Sequence, residues 1–247
     1  MRKCNIIILN WNSCELLKEC LWYLGSEQKN RIIIVDNGSK DHSIGFLGTL
    51  PHQTVYNEKN LGFAGGVNSG LKVIDPGADV VLLNVDAFVS PGWLEALYET
   101  MGRHSQVGLV GPLGNNVPSG HQKVGSVLED TIVPNLHFFC VLIRREVIDK
   151  IGLFDTMYGL GNYDDNDYGT RARLAGYLHC ISVKSKVHHE PHQVFKINNI
   201  DYNQLEIINR EKFLNKFFGI MLEYSKKYDF FADPLLAESQ GLVIPKK

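Results

Sequence analysis

The chain has 247 residues, 44% of them hydrophobic and 21% charged, with a formal net charge of −2. That length suits one sizeable domain with a real core, and a pI near 6.5 lacks the basic excess of a nucleic-acid binder. Five scattered cysteines, Cys4, Cys14, Cys20, Cys140 and Cys180, make no CxxC pair and no even framework, so they read as reduced thiols of a cytoplasmic protein. Ile6 to Leu9, after Met1-Arg2-Lys3, is too short for a signal h-region. No apolar run approaches the ~20 residues that span a bilayer. Peripheral contact with the inner face of a membrane and assembly into a homo-oligomer both remain compatible with this composition.

Asn5 to Asn10 is a continuous apolar, β-branched run, the pattern of a buried parallel strand. Cys14 to Leu24 carries Leu16, Leu17, Cys20, Leu21 and Leu24 at helical spacing. Arg31 to Asp36 is a second strand ended by Asn37-Gly38, and Asp41 is placed to cap a short helix, Ser43 to Leu50. Thr54 to Tyr56 is a short strand, after which a glycine-rich turn opens a helix from Ala64 to Ile74. Val80 to Leu83 is the next strand, closed by Asn84-Val85-Asp86. Ser90-Pro91 predicts a cap and a first-turn proline for a helix running to about Met101, followed by a strand at Val107 to Val110. Gly111 to Pro134 reads as a loop-rich insertion.

Leu136 to Ile143 is expected as a strand and Arg145 to Ile151 as a helix. A further helix spans Asp167 to Ala175, closed by Gly176, with Asp167 and Arg171 paired at i,i+4. Tyr177 to Val183 and Lys186 to His189 are expected to be extended. An amphipathic helix covers Tyr202 to Phe218. In the tail beyond it, Tyr228, Phe230, Phe231, Leu235 and Leu236 call for a packing partner on the domain or elsewhere. This order of strands and helices predicts an α/β domain with a mostly parallel central sheet flanked by helices. Ligands of such sheets sit at the carboxyl ends of the strands, where Asn10, Asp36 and Asp86 fall.

Three segments carry chemistry. Asp36-Asn37-Gly38-Ser39 sets a carboxylate beside a tight turn, able to accept the ring N–H of a pyrimidine; a plain Asn-Gly turn has the same letters. Asn57 to Gly70 is glycine-rich and opens a helix, favourable for phosphate or sugar contact. It matches neither GxGxxG nor GxxxxGK[ST], and Gly62, Gly66 and Gly70 would equally serve close helix–sheet packing. Asp164-Asp165-Asn166-Asp167 crowds three carboxylates into four positions, which disfavours full ionisation and suits proton, metal or hydroxyl chemistry. A solvated acidic loop capping a helix is the plainer alternative. Asp86 needs a second ligand to hold a hard cation, and His189, ahead of His188, is the candidate. A zinc site of His188, His189 and His192 is disfavoured by Pro191 and by the lack of a nearby cysteine.

Ile6 to Asn12, Ile34 to Ser39, Asn60 to Asn68, Leu83 to Asp86, Ile143 to Asp155 and Asp164 to Tyr177, taken in that order, resemble the successive signatures of family 2 glycosyltransferases. The resemblance runs from Met1 to about Phe218, with residues 219–247 as a tail. It is nearest to bacterial rhamnosyl- and cell-surface-polysaccharide transferases. It implies a GT-A fold and an inverting, metal-dependent transfer from a UDP- or dTDP-sugar to a glycan, lipid-linked or protein hydroxyl in surface glycan synthesis. It assigns nucleotide-sugar contacts to Asn10, Asp36, Asn37, Asn60, Gly65, Asn68 and Asn84, and Mn2+ or Mg2+ to Asp86 and His189. Asp165 matches the general base, and Asp164 stands where glutamate is usual. Asn84 replaces the first aspartate of a DxD. That replacement keeps a non-catalytic sugar-nucleotide or glycan-binding module in view. A nucleotidyltransferase, the other rival, lacks its basic glycine-rich loop near the N-terminus.

Overall fold

The computed structural model describes residues 4–25, 30–117 and 120–227. Strands and helices alternate through β1 (Cys4–Asn10), α1 (Cys14–Leu24), β2 (Arg31–Asp36), α2 (Ser43–Leu47), β3 (Gln53–Tyr56), α3 (Gly62–Leu71) and β4 (Asp79–Asn84). Next come β5 (Ala87–Val89), α4 (Trp93–Arg103), β6 (Val107–Gly114) and β7 (Thr131–Val133). The remainder holds β8 (Cys140–Ile143), α5 (Arg145–Ile151), α6 (Asp164–Leu174), β9 (Leu178–His189), α7 (Gln193–Ile197) and α8 (Tyr202–Lys227). The sheet order is β3-β2-β1-β4-β8-β6-β9-β5, with β7 added against β9. The first four positions are parallel throughout; β8 then enters antiparallel to both β4 and β6.

The continuous apolar runs are explained by cover on both faces. Ile6, Ile8, Ile32, Ile34, Val81 and Leu83 point into one core with Leu17 and Cys20 of α1 and Leu94 and Leu97 of α4. Their neighbours Ile7, Ile33, Val35, Val80 and Leu82 point into the other, against α3, α5 and α6 through Val67, Val147 and Ala172. A strand buried on both sides has no position left for a polar residue until it reaches the sheet's edge. Polar side chains therefore appear where β1, β2 and β4 end. Asp41 caps as expected and does more, accepting from the Ser43 amide at 3.0 Å and from the Cys14 amide of α1 at 3.0 Å.

Several boundaries differ from the sequence reading. The helix expected from Ser90 begins at Trp93, because Gly92 is left-handed (φ 78°) and Ser90-Pro91 forms the turn before it. The insertion after Gly111 is partly regular, since β6 continues to Gly114 and β7 pairs with β9. The strand expected from Leu136 starts only at Cys140, where its pairing with Leu83 begins. Helix α6 starts at Asp164 rather than Asp167, which puts Asp164 and Asp165 in its first turn. The two extended segments before His189 are one strand, with a register irregularity opposite Pro112 and Leu113. Strand β5 and helix α7 are too short to leave a periodic signal. Helix α8 runs on to Lys227, so the boundary drawn after Phe218 falls inside a helix. Tyr228, Phe230, Phe231, Leu235 and Leu236 lie outside the described residues.

The glycine-rich stretch is packed closely, as the alternative reading required. A Cβ on Gly70 would lie 2.8 Å from Ile7, and one on Gly62, which is left-handed at φ +75°, would lie 1.7 Å from the Gly159 carbonyl oxygen.

Candidate active site

A cavity of about 410 Å³ opens where β1, β2 and β4 end, lined by Leu9, Trp11, Asn37, Asn84, Val85 and Asp86. This is the crevice outside the carboxyl ends of the strands. The start of α6, the end of β9 and helices α7 and α8 complete the wall through Asp164, Asp165, His189, His192, Phe195, Tyr202 and Glu206. Among the described lining residues are four carboxylates, Asp86, Asp164, Asp165 and Glu206, and no lysine or arginine.

Asp86 follows β4 and His189 ends β9; the adjacent β5–β9 pairing sets Ala87 opposite His189 and so brings the two side chains together. His189 Nε2 lies 3.7 Å from Asp86 Oδ1, and that oxygen is buried without a hydrogen-bond partner. The His189 ring stacks on Phe139 at 4.6 Å, and its Nδ1 is 3.2 Å from the Asn116 carbonyl oxygen. Donation to that carbonyl fixes the tautomer and turns the Nε2 lone pair toward Asp86. Burial pushes the Asp86 carboxyl up to about 7 and the His189 imidazole down to about 4. A neutral imidazole nitrogen therefore faces a buried carboxyl oxygen that lacks a hydrogen-bond partner, and a cation taking the place of the carboxyl's proton would satisfy both. Among the described residues no group of three His, Cys, Asp or Glu is arranged around a metal, so Asp86 and His189 would hold it with ligands from elsewhere. His188 alternates to the other face, is largely exposed, and stacks on Phe88.

Asp164 and Asp165 share the first turn of α6 and differ in environment. Asp164 is buried, and neither oxygen has a hydrogen-bond partner. Burial, with the Asp165 charge adding to it, holds the Asp164 carboxyl well above the usual carboxylate range. Asp165 is half-buried; its Oδ1 accepts from the Asn166 amide at 2.9 Å and its Oδ2 lies 3.7 Å from His137 Nδ1. The Asp164 shift has a consequence for stability. An acid whose pKa is raised on folding loses stability as pH climbs above its unfolded value. Asp164→Asn removes that loss, so the variant's melting temperature is expected to exceed the wild type's at about pH 8.5 and to approach it at about pH 5. Parallel pH profiles for the two proteins would contradict this.

The predicted site residues divide into two groups. Asn37, Asn60, Asn84, Asp86, Asp164, Asp165 and His189 all line the cavity. Asn10, Asp36, Gly65 and Asn68 do not. Asn10 and Asp36 are buried, with Asn10 Nδ2 donating to Asp36 Oδ1 at 3.1 Å and the Ser39 amide to Asp36 Oδ2 at 3.0 Å. These bonds hold the turn that presents Asn37. Asn68 clamps the Phe154 backbone through two 2.9 Å hydrogen bonds, and Gly65 faces Leu61. Asn37 spans from β2 to the α3 loop, bonded to Asn57, Asn60, Leu61 and Gly62.

Sequence reasoning missed His137, which has no pattern to mark it, and Asn209. Asn209 sits on the inward stripe of α8, where Phe217 is also buried. Its amide donates to Tyr158 and Gly161 carbonyls at 2.8 Å each. Lys216 reaches Asp155 at 2.7 Å and also Asp167, and Asp167 carries the expected Arg171 pair at 2.7 Å. A polar residue on an otherwise apolar stripe was the available signal. These bonds hold a wall in which Asn162, Tyr163 and His192 all have positive φ (77°, 71° and 68°). Such strain persists only where the surroundings over-determine it, and it concentrates at functional sites.

Comparison with known proteins places this architecture. The chain is 25% identical to an N-acetylglucosaminyl-diphospho-decaprenol L-rhamnosyltransferase of Mycobacterium tuberculosis, over 68% of this chain and 69% of that one. A mannosyltransferase of Pyrobaculum calidifontis solved with GDP-Man and Mn2+ superposes with a TM-score of 0.62 at 19% identity, covering 76% of this chain and 56% of that one. GalNAc-T7 solved with UDP, GalNAc and Mn2+ gives 0.64 at 14% identity, covering 76% and 44%. TarS of S. aureus with UDP-GlcNAc gives 0.60 at 16%, covering 75% and 58%. The chain thus spans about half the length of these solved structures, and at such identities they establish the GT-A fold. The model of the family described as glycosyl transferase family 2 matches residues 5–152, which takes in Asn37, Asn84 and Asp86 and ends before Asp164. With well over half of its sequence matched, the chain belongs to glycosyl transferase family 2.

Proposed function

We propose that the chain transfers a sugar from a UDP- or dTDP-sugar to a hydroxyl of a glycan or lipid-linked glycan, with inversion and with the help of Mn2+ or Mg2+. One observation carries the reading: Asp86 Oδ1, buried and unpartnered, faces His189 Nε2 at 3.7 Å in a cavity whose described lining holds four carboxyl groups and no lysine or arginine. A nucleoside diphosphate entering such a cavity meets no lysine or arginine among the described lining residues. Asp86 and His189 would hold a divalent cation, which would supply the neutralisation a diphosphate leaving group needs.

The remaining steps fall to the chain's own groups. Asn60 and Asn84 line the donor side with amide groups, and Asn37, its own amide fully bonded to the α3 loop, holds that edge in place. Asp165 accepts the proton of the acceptor hydroxyl as its oxygen bonds to the anomeric carbon and the bond to the diphosphate oxygen breaks. Attack from the face opposite the leaving group inverts that carbon. Burial raises the Asp164 carboxyl well above the usual carboxylate range, which disfavours a second charge beside Asp165. No described helix is long and apolar enough to cross a membrane. The relative's decaprenol-linked substrate supports placing the reaction at the inner face of a membrane, in surface glycan synthesis.

The test is release of nucleoside diphosphate from a panel of UDP- and dTDP-sugars with varied Mn2+. His189→Ala is expected to raise the Mn2+ concentration for half activity by about 10- to 100-fold, the range for weakened metal sites, and His188→Ala to leave it near the wild-type value. Identical Mn2+ curves for all three proteins would exclude His189 as a ligand. No turnover with any donor at any Mn2+ concentration would favour the binding-module reading.

A further inference from the structure

Resting on that transfer reaction, we propose that the acceptor's reacting unit is an uncharged pyranose, seated against Tyr163, His192, Phe195 and Tyr202 with Glu206 accepting its hydroxyls. These residues come from the turn before α6, the turn before α7, α7 itself and α8, and all line the cavity that holds Asp165. Three of the rings pack together, and Tyr163, which packs on Phe213 at 5.5 Å, lines the same cavity. His192 and Tyr202 have centroids 3.8 Å apart, and Phe195 and Tyr202 5.8 Å apart. Glu206 is close enough for its charge to act on Tyr163, His192 and Tyr202, and Asp165 is close enough to act on Tyr163 and Tyr202. Wall, carboxylate and candidate base are one neighbourhood.

The chemistry of that neighbourhood selects its ligand. A pyranose has an apolar face of C–H bonds, which covers an aromatic ring, and a rim of hydroxyl donors. Carboxylates only accept hydrogen bonds, so Glu206 matches the rim. An alkyl chain would answer none of these groups and would desolvate them without a partner. A uronate or phosphorylated sugar would bring its negative charge against Glu206 and Asp165. The basic groups that act on this wall are Lys196, through His192, and Arg210, through Tyr163. Both are exposed and neither lines the cavity. The wall is also held in advance of any ligand, by the Asn209 bonds behind Gly161 and the positive φ of Tyr163 and His192.

The experiment is saturation-transfer NMR and calorimetric titration of the full chain, with and without UDP and Mn2+. The probes are octyl β-glucoside, octyl β-galactoside, octyl N-acetyl-β-glucosaminide, octyl β-glucuronide and 1-octanol. At least one neutral glycoside is expected to bind with saturation on its ring protons, and the glucuronide to bind at least about tenfold more weakly. Glu206→Gln, a change at an exposed position that the fold tolerates, should shrink that difference to less than about threefold. Tyr202→Ala should weaken the glycoside about tenfold, with Tyr202→Phe restoring it. Glucuronide binding as tight as that of the best neutral glycoside, saturation confined to the octyl chain, or no binding by any neutral glycoside would overturn the proposal. Thermal stabilisation by UDP with Mn2+ reads the donor side separately. Its absence alongside intact glycoside selectivity would sink the transfer reading and leave the pyranose seat standing.

Discussion

Asp165→Asn is expected to lower transfer by roughly two to four decades, the range usual for loss of a general base, while leaving UDP and Mn2+ binding unchanged. The substitution keeps the shape of the side chain and its bond to the Asn166 amide, and removes only the ability to take a proton. Asp164→Asn is expected to be milder. Burial already disfavours the charged form of Asp164, so an amide of the same shape is a smaller change there. Asp167→Asn acts on the fold instead, because Asp167 binds Tyr158, Arg171 and Lys216 behind the cavity; weakening these buried charged contacts is expected to cost about 1–3 kcal/mol. The ranking of lost turnover is Asp165, Asp164, Asp167. It is read from initial rates and from donor binding measured on the same preparations. Near-normal transfer by the Asp165→Asn protein would move the role to Asp164.

Asp86→Ala is expected to abolish the part of UDP affinity that depends on Mn2+, a loss of about 100-fold or more in the metal concentration required. Calorimetry with and without Mn2+ separates that part from the rest. Without metal the variant should be about as stable as the wild type, because Asp86 Oδ1 has no partner to lose, Oδ2 has only a long 3.4 Å bond from the Gln193 amide, and a poorly partnered buried carboxyl opposes folding. Asp36→Ala should behave differently. Its oxygens hold Asn10 and Ser39, so its removal loosens the turn that carries Asn37. UDP affinity and melting temperature should then both fall, with or without Mn2+. Equal responses of the two variants to Mn2+ would mean that Asp86 is not a metal ligand.

The sequence was most legible where one physical rule acts locally. Ile6 to Leu9, Ile32 to Val35 and Val80 to Leu83 could only be strands covered on both faces, and the two cores of the structure alternate along them residue by residue. Because such strands exclude polar groups until they end, Asp86 was marked as a candidate by position, whereas Asn84 was assigned only through the resemblance. The end of β9 turns the His189 imidazole inward and leaves His188 exposed. Asn10, Asp36 and Asn68 serve the fold in this structure, whatever else they do. Each is a polar residue at an element end, as binding would need, yet its hydrogen bonds are made to the protein's own turn or backbone. A letter at a strand end does not reveal whether its partner is a ligand or the chain itself.

By itself, then, the sequence determined most of the strand and helix order, the doubly covered sheet, and the strand-end crevice beside which Asp86 falls. Periodicity and turn chemistry act over a few residues and survive in the letters. What only the tertiary structure decided are the long-range pairings. Strand β9 meets β5, setting His189 beside Asp86; His137 comes to 3.7 Å from Asp165; and Asn209 on α8 fastens the strained loop at Gly161 and Asn162. The sequence separation between partners ranges from 28 residues for His137 and Asp165 to 103 for Asp86 and His189. No local rule spans such distances, because each contact is fixed by how whole strands and helices pack.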